Sequence, residues 1–402
     1  MALFRWEGKD RQGHSLQGEL EASSTAAAVM QLRRQQIVPL QLREEKKRKA
    51  SFKFSLSGRV SEKEVAVFTR QLATMIDAGL PLVQSLEVLS SQQENAAFKK
   101  VLLNVKQEVE GGATFSDALR KHPKAFGDLY TNLVTAGEIG GTLDIILNRL
   151  SQYMEKSIAL KKRVKGAMVY PAAILGVCVL VVVVLLVFVI PVFENMFSGF
   201  GAALPAPTQY VITLSKFVKG NFPFLIGGMV GLVMLLRQYR KTVAGRMITD
   251  RALFKTPVFG PLLVKIAIAR FSRTLGTLVS SGVPILDGLN ITAKASGNKV
   301  LEEAIMKTRT SISEGKTIAE PLGEAAVFPG MVVQMIGVGE STGSLDAMLN
   351  KIADFYDEEV AVAVDSLTSL IEPLMMASLG LIVGAMVIAL YMPMFQIITL
   401  VQ

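Results

Sequence analysis

The sequence predicts an all-α polytopic membrane protein with two homologous cytoplasmic helical bundles, three transmembrane helices and a small α+β module at its N-terminus. Three observations carry that reading. Residues 172–190 read AAILGVCVLVVVVLLVFVI, with no charged side chain, between Pro171 and Pro191. Rising about 1.5 Å per residue, such a run crosses a hydrocarbon core of roughly 30 Å, and it lacks the polar stripe of a helix in a soluble core. The pattern returns between Pro373 and Pro393 with the same proline spacing (191 − 171 = 393 − 373 = 20). The long stretches before each run show amphipathic helical periodicity and no strand alternation.

Composition agrees. Of 402 residues 50% are hydrophobic and only 19% charged, with a mean hydropathy of +0.40. A net charge of +9 would suggest a nucleic-acid partner in a soluble protein; here basic residues crowding the cytoplasmic ends of membrane helices explain it, and no nucleic-acid partner is expected. The lone cysteine, Cys178, lies inside the apolar run and can form no internal disulfide. The N-terminus, MALFRWEGKD, has no apolar h-region and is expected to stay cytoplasmic.

Residues 1–42 read as the small module: strands at 3–6 and 14–20 around a turn at 8–13, a helix capped by Ser24 and Thr25, and a return to the sheet at 37–40. Residues 43–60 form a charged linker whose run REEKKRK (43–49) suits either solvent or anionic lipid headgroups. The first bundle spans 61–167. Ser61 and Glu64 make a capping box for a helix with Val65, Phe68, Leu72, Met75 and Ile76 on one face, stopped by Gly79 and Pro81. Further helices follow near 82–91 and 96–110, after Thr114, near 129–136 and over 142–165.

The chain then repeats itself. Phe68, Arg70, Leu72, Thr74, Gly79 and Pro81 recur as Phe271, Arg273, Leu275, Thr277, Gly282 and Pro284, an offset of 203 (271 − 68). Gly137-Glu138-Ile-Gly-Gly141-Thr-Leu recurs as Gly339-Glu340-Ser-Thr-Gly343-Ser-Leu at 202 (339 − 137). A register held that far marks duplication of a bundle plus membrane helix. Two copies running into the membrane in the same direction require a return crossing, and 222–236 (FPFLIGGMVGLVMLL) is the candidate. Lys161, Lys162, Arg163 and Lys165 precede the first span, while Arg237, Arg240, Lys241, Arg246 and Arg251 follow the second. The positive-inside rule therefore puts both bundles in the cytoplasm. The expected order is a first span at 168–192, a periplasmic loop at 193–219, a second span at 220–236, the second bundle at 237–370, a third span at 371–395 and a periplasmic C-terminus at 396–402. Pro171, Pro191, Pro373 and Pro393 are expected to set the membrane-helix ends.

Catalytic and metal signals are weak. Gly315-Lys316-Thr317 ends like a phosphate-binding loop, but Thr310 occupies the earlier glycine position and Thr317 with Glu320 makes a capping box. Gly337 and Gly339 lack the third glycine of a dinucleotide fingerprint, since Thr342 stands there. His14, His122 and Cys178 have no metal-ligand spacing. No enzyme, cofactor or metal is expected. Between the prolines of each long span no charged residue occurs, and Glu372 and Tyr170, just before Pro373 and Pro171, are expected at the cytoplasmic interface, which argues against a transporter subunit, the rival of another class. An ATPase acting alone is a further rival. The repeated Gly-Glu-x-x-Gly segments read either as helix ends with glycine turns or, more sharply, as surfaces where Glu138, Gly141, Glu340 and Gly343, with Arg70 and Arg273, contact the other bundle or a partner.

At this point the chain resembles the type II secretion F family, the polytopic inner-membrane platform proteins of secretion systems and type IV pili. The resemblance rests on Arg163-Val-Lys-Gly-Ala-Met-Val-Tyr170-Pro171, on both Gly-Glu-x-x-Gly-x-Leu segments and on the N-terminal module, and covers essentially the whole chain. Pro191-Val-Phe-Glu-Asn-Met-Phe197 and Gly201-Ala-Ala-Leu-Pro205-Ala-Pro207-Thr208 are more similar to the pilus branch than to the secretion branch. The resemblance implies a homodimer or higher homo-oligomer in the bacterial inner membrane. It implies bundles that engage a hexameric assembly ATPase and, in retracting pili, a retraction ATPase. Membrane-anchored pilin subunits and other inner-membrane pilus proteins are the remaining implied partners.

Overall fold

The structure is a computed structural model that describes residues 2–9, 15–22, 25–34, 38–45, 60–198 and 205–400. The expected turn at 8–13 beyond Lys9, the Ser24 cap, most of the charged linker and the 201–204 part of the pilus-like motif lie outside the described residues.

At the N-terminus β1 (Ala2–Lys9) pairs antiparallel with both β2 (Ser15–Ala22) and β3 (Val38–Glu45), giving the order β2-β1-β3, with α1 (Thr25–Arg34) between β2 and β3. Gly18 sits opposite Trp6, and a Cβ there would stand 2.9 Å from the indole, so glycine is required by close approach. Pro39 lies on the edge strand, beside a register shift at Glu7 and Gly8, where its missing N–H costs least.

The first bundle runs through α2 (Glu62–Asp77), α3 (Leu82–Gln92), α4 (Ala96–Glu110), α5 (Phe115–Arg120), α6 (Asp128–Gly140) and the start of α7 (Leu143–Val184). Ser61 closes the capping box, accepting from the Glu64 N–H at 3.2 Å while its own N–H donates to the Glu64 carboxylate at 2.7 Å. Phe68, Leu72, Leu86, Leu119, Phe126, Leu133 and Leu147 are buried as the core.

After α7 come a π-helical turn (Leu185–Val189), α8 (Ile190–Ser198) and α9 (Ala206–Tyr239). The second bundle holds α10 (Val243–Phe254), α11 (Phe259–Ser280), α12 (Ile285–Ala295), α13 (Lys299–Ser313), α14 (Ala319–Glu324), α15 (Gly330–Thr342) and the start of α16 (Leu345–Leu400). Helices α11 to α16 repeat α2 to α7 one for one. The ring pair Phe68–Phe126, 6.0 Å between centroids, has its counterpart in Phe271–Phe328 at 5.1 Å. Three turns repeat as left-handed glycines: Gly79 and Gly282 (φ 83° and 78°), Gly112 and Gly315 (93° and 92°), Gly141 and Gly343 (65° and 69°). The phosphate-loop look-alike is thus the turn after α13, with Thr317 accepting from the Glu320 N–H at 3.4 Å. Pro81 and Pro284 precede the first turns of α3 and α12, where no N–H is needed.

Among the described residues two helices, α7 with its continuation and α16, are long and apolar enough to cross a membrane, and up to four spans result if each of two bent helix pairs is counted as one. One bent pair is α9, turned by 46° between 206–225 and 227–239, near Pro223, whose ring displaces the carbonyl four residues earlier. The other is α10 with α11, bent by 112°, but Phe271, Leu275 and Leu278 of α11 are fully buried in the second bundle. Along α7 and the π-helical turn, Leu180 and Phe188 are 62% and 67% exposed, as lipid-facing side chains would be.

Two expectations are corrected. The segment 193–219 is not a loop where it is described: 193–198 belong to α8 and 206–219 to α9, whose Ile212 packs with Leu186, Ile190, Met386 and Leu390. The stretch is expected as the connection between two spans, and its described residues lie on helices instead. The four prolines also do not end helices, since α7 runs unbroken through Pro171, α8 through Pro191 and α16 through Pro373 and Pro393. The lost N–H groups are accommodated instead. At Pro191 the ladder shifts to a π-turn in which the Ile190 N–H donates to the Leu185 carbonyl, and the Ser215 hydroxyl donates to the released Leu186 carbonyl. Pro393 leaves the carbonyl of Ala389 without its helical donor, and the Thr208 hydroxyl donates to it.

Candidate functional site

The Gly-Glu-x-x-Gly segments form the ends of α6 and α15. Both stop at a left-handed glycine, where the Thr142 and Ser344 N–H groups each return to the carbonyl of Gly137 or Gly339 at 2.9 Å. No atom lies within 4 Å of a Cβ built at Gly141 or Gly343, so backbone conformation, not crowding, requires glycine there. Gly137 and Gly339 face the next helix closely, their added Cβ atoms meeting Ile146 at 3.0 Å and Leu345 at 3.0 Å.

Between those glycines the two glutamates turn inward. Glu138 accepts from the Phe115 and Ser116 N–H groups at 2.5 and 2.9 Å, and Glu340 from the Ile318 N–H at 2.8 and 2.9 Å and the Ala319 N–H at 3.4 Å. Each carboxylate thereby caps the short α5 or α14 of its own bundle, joining opposite charge to free backbone donors. These contacts of Glu138 and Glu340 lie within their own bundles. A helix start within reach satisfies the carboxylate locally.

The paired arginines hold α7 and α16 to their bundles. Arg70 donates to both oxygens of Glu155 at 2.8 and 2.6 Å, and the matching Arg273 donates to Asp354 at 2.9 Å and to Asp357. The hydrogen bond from Arg70 holds the Glu155 carboxyl below its ordinary value. Burial pushes Asp354 up, but hydrogen bonds from Lys156 and Arg273 outweigh it and leave that carboxyl lowered.

Asp354 also marks where the bundles meet. Lys156 of α7 donates to it at 2.8 Å, so Arg273 belongs to a cross-bundle cluster whereas Arg70 does not. Along the same face of α7, Arg149 donates to the Ser280 carbonyl, Tyr153 and Thr274 share a hydrogen bond of 3.2 Å, and Arg163 reaches Asp365 at 3.0 Å. Leu160 and Val164 pack there on Leu262, Val360 and Val364. Burial raises the Tyr153 hydroxyl pKa, so it stays protonated. Arg273 is among the expected inter-bundle contacts and Arg163 among the charges before the first span, but Arg149, Tyr153, Lys156 and Asp354 carry no separate signal in the sequence, although 149, 153, 156, 160, 163 and 167 follow the 4-3-4-3-4 spacing of a helix-packing stripe.

Beside the seam, a groove of about 350 Å³ runs between α7 and α11, with Leu160, Val164 and Met168 on its wall and Lys156, Lys161, Lys165, Arg270 and Arg273 around it. A second cleft, about 680 Å³, opens between α6 and α12 near Gly282, with Ile139 84% exposed at its edge. Among the described residues no group of three His, Cys, Asp or Glu could hold a metal ion.

Comparison with known proteins places this architecture. The family description "Type II secretion system (T2SS), protein F" matches residues 68–191 and 271–393, and "Type II secretion system protein F, N-terminal domain" matches 1–43. The chain is 50% identical over 100% of its length, and 96% of the relative's, to type IV pilus assembly protein PilC of Myxococcus xanthus. It is 41% identical to type IV pilus assembly protein TapC of Aeromonas hydrophila, covering 98% of this chain and 95% of that one. To the type II secretion system protein F of Xanthomonas campestris pv. campestris it is 34% identical, with 99% of each chain covered.

Proposed function

The chain belongs to the type II secretion system protein F family, and from that premise we propose that it is the inner-membrane platform of a type IV pilus machine. In this role it couples a cytoplasmic assembly or retraction ATPase to polymerisation of membrane-anchored pilin. The observation that carries the reading is the continuity of α7 and α16, single helices of 42 and 56 residues that are at once the last helix of a bundle and a membrane-crossing segment. A push on either bundle is thereby delivered into the bilayer without an intervening hinge loop. Nucleotide hydrolysis falls to the partner, and this chain is not an enzyme.

The topology we propose has three crossings, with α9 as the return span, both bundles and the small α+β module of residues 1–42 in the cytoplasm, and the C-terminus in the periplasm. Lys161, Lys162, Arg163 and Lys165 before the first crossing and Arg237, Arg240 and Lys241 after the second support it. The turns at Gly141 and Gly343, held in place through Glu138 and Glu340, serve as docking surfaces for the ATPase. Pilin, other inner-membrane pilus proteins and a second copy of the chain are the remaining partners. The higher identity to pilus assembly proteins than to a secretion protein F supports the pilus branch over the secretion branch.

Deletion of the chain in its host tests this, with electron microscopy for surface filaments and an assay of secreted enzymes. Filaments lost with pilin still present and secretion normal is the expected result. Intact filaments with secretion lost would move the protein to the secretion branch.

A further inference from the structure

We infer that the groove between α7 and α11 is a binding site for one anionic phospholipid of the leaflet facing the bundles. The groove is amphipathic along its length. Leu160, Val164, Met168, Ile266 and Ala269 give it apolar walls, and its volume of about 350 Å³ falls within the roughly 300–1,000 Å³ of small-molecule pockets. Met168 lies three residues before Pro171, where the apolar run begins, so the groove opens toward the hydrocarbon at that end.

Charge selects the headgroup. Five cations line the groove against a single carboxylate, Asp357. Lys156 is bound to Asp354, Lys161 to Glu62, and Arg273 to Asp354 and Asp357. Among the described residues Arg270 gives only one long hydrogen bond, 3.5 Å, to the Ser296 carbonyl, and Lys165 makes no ion pair. The surplus positive charge thus falls on Arg270 and on Lys165, which is exposed close to the apolar run. A phosphodiester at the interface with its acyl chain along Leu160 and Val164 satisfies both halves of the groove; a zwitterionic headgroup brings its own cation and gains less.

This inference rests on the reading that α7 enters a bilayer after Pro171, and the test separates the two. Full-length protein in detergent is titrated with phosphatidylglycerol, phosphatidylcholine or inorganic phosphate, and bound lipid is counted by native mass spectrometry. One phosphatidylglycerol should be retained over phosphatidylcholine, inorganic phosphate should not compete, and K165E should bind phosphatidylglycerol about fivefold more weakly or worse. Lys165 is exposed, so K165E should fold normally, and R270Q provides a second variant. Equal retention of the two lipids, competition by phosphate alone, or unchanged binding by both variants would overturn the site. Failure of the spanning reading would show separately, as extraction of the protein from membranes by carbonate.

Discussion

Arg163 and Asp365 occupy the same position in the two repeats, at the 202-residue offset, and they meet each other at 3.0 Å across the seam. The Lys156–Asp354 contact lies earlier along both α7 and α16 than Arg163–Asp365 does, so the two contacts advance together. The two long helices therefore approach side by side in the same direction, and the duplicated bundles are joined through their shafts.

Reversing one charge at this contact should be mildly destabilising, and reversing both should restore it. The side chains are 53% and 69% exposed, so R163D alone should cost no more than about 1 kcal/mol. Thermal unfolding of R163D, D365R and the double variant gives the coupling directly. Additive single losses, with no recovery in the double variant, would show that the pair contributes nothing.

Glu340→Ala should leave the Ile318 and Ala319 N–H groups without their acceptor and cost about 1–3 kcal/mol. Glu340→Gln, which keeps one acceptor oxygen, should lose less. In cells Glu340→Ala should reduce filament number while the protein still inserts into the membrane. Full filament assembly by Glu340→Ala would remove the proposed docking role of this turn.

Gly343→Ala should destabilise by about 1–2 kcal/mol through its left-handed backbone, φ 69°, because nothing crowds the added methyl. Gly343→Asn should be better tolerated, as asparagine adopts this conformation more readily. Comparing the melting temperatures of the two variants separates strain from packing, and equal losses would point to packing.

Acid should weaken the bundles in two steps. Burial outweighs the attraction of Glu108 and holds His122 below its ordinary 6.5. The unfolded chain therefore takes up this proton first, and stability falls as pH drops below 6.5 toward the lowered folded value. Glu155 and Asp354 are also lowered, so their contribution is intact above the ordinary carboxylate range near about 4 and is lost as pH falls through their folded values. His122→Gln should abolish the first step in a denaturation series against pH, and Arg70→Gln should flatten the second.

Much of the architecture can be read from the residues. Paired prolines and the unbroken apolar runs locate the two long spans, and the Ser61 box, Gly79, Pro81 and their repeats mark helix ends through local chemistry. The seam was not legible in the same way. A repeat register aligns Arg163 with Asp365 but does not say that one copy touches the other there. Glu138 illustrates the converse. Its recurrence as Glu340 signals a shared role, yet only the three-dimensional path brings Phe115 and Ser116 under it and makes that role internal. The described residues after Pro191, expected as a connection between spans, are helical, and no local signal shows that the Thr208 and Ser215 hydroxyls donate to carbonyls on other helices.

Those two hydroxyls have a mechanical meaning. They stand seven residues apart, about two turns along one side of α9, and each grips a proline-loosened point on a different span. Left alone, the two loosened spans would bend as independent coordinates. A shared strut removes one of those degrees of freedom, so in the proposed topology displacement entering through either long helix emerges at this end as one concerted movement.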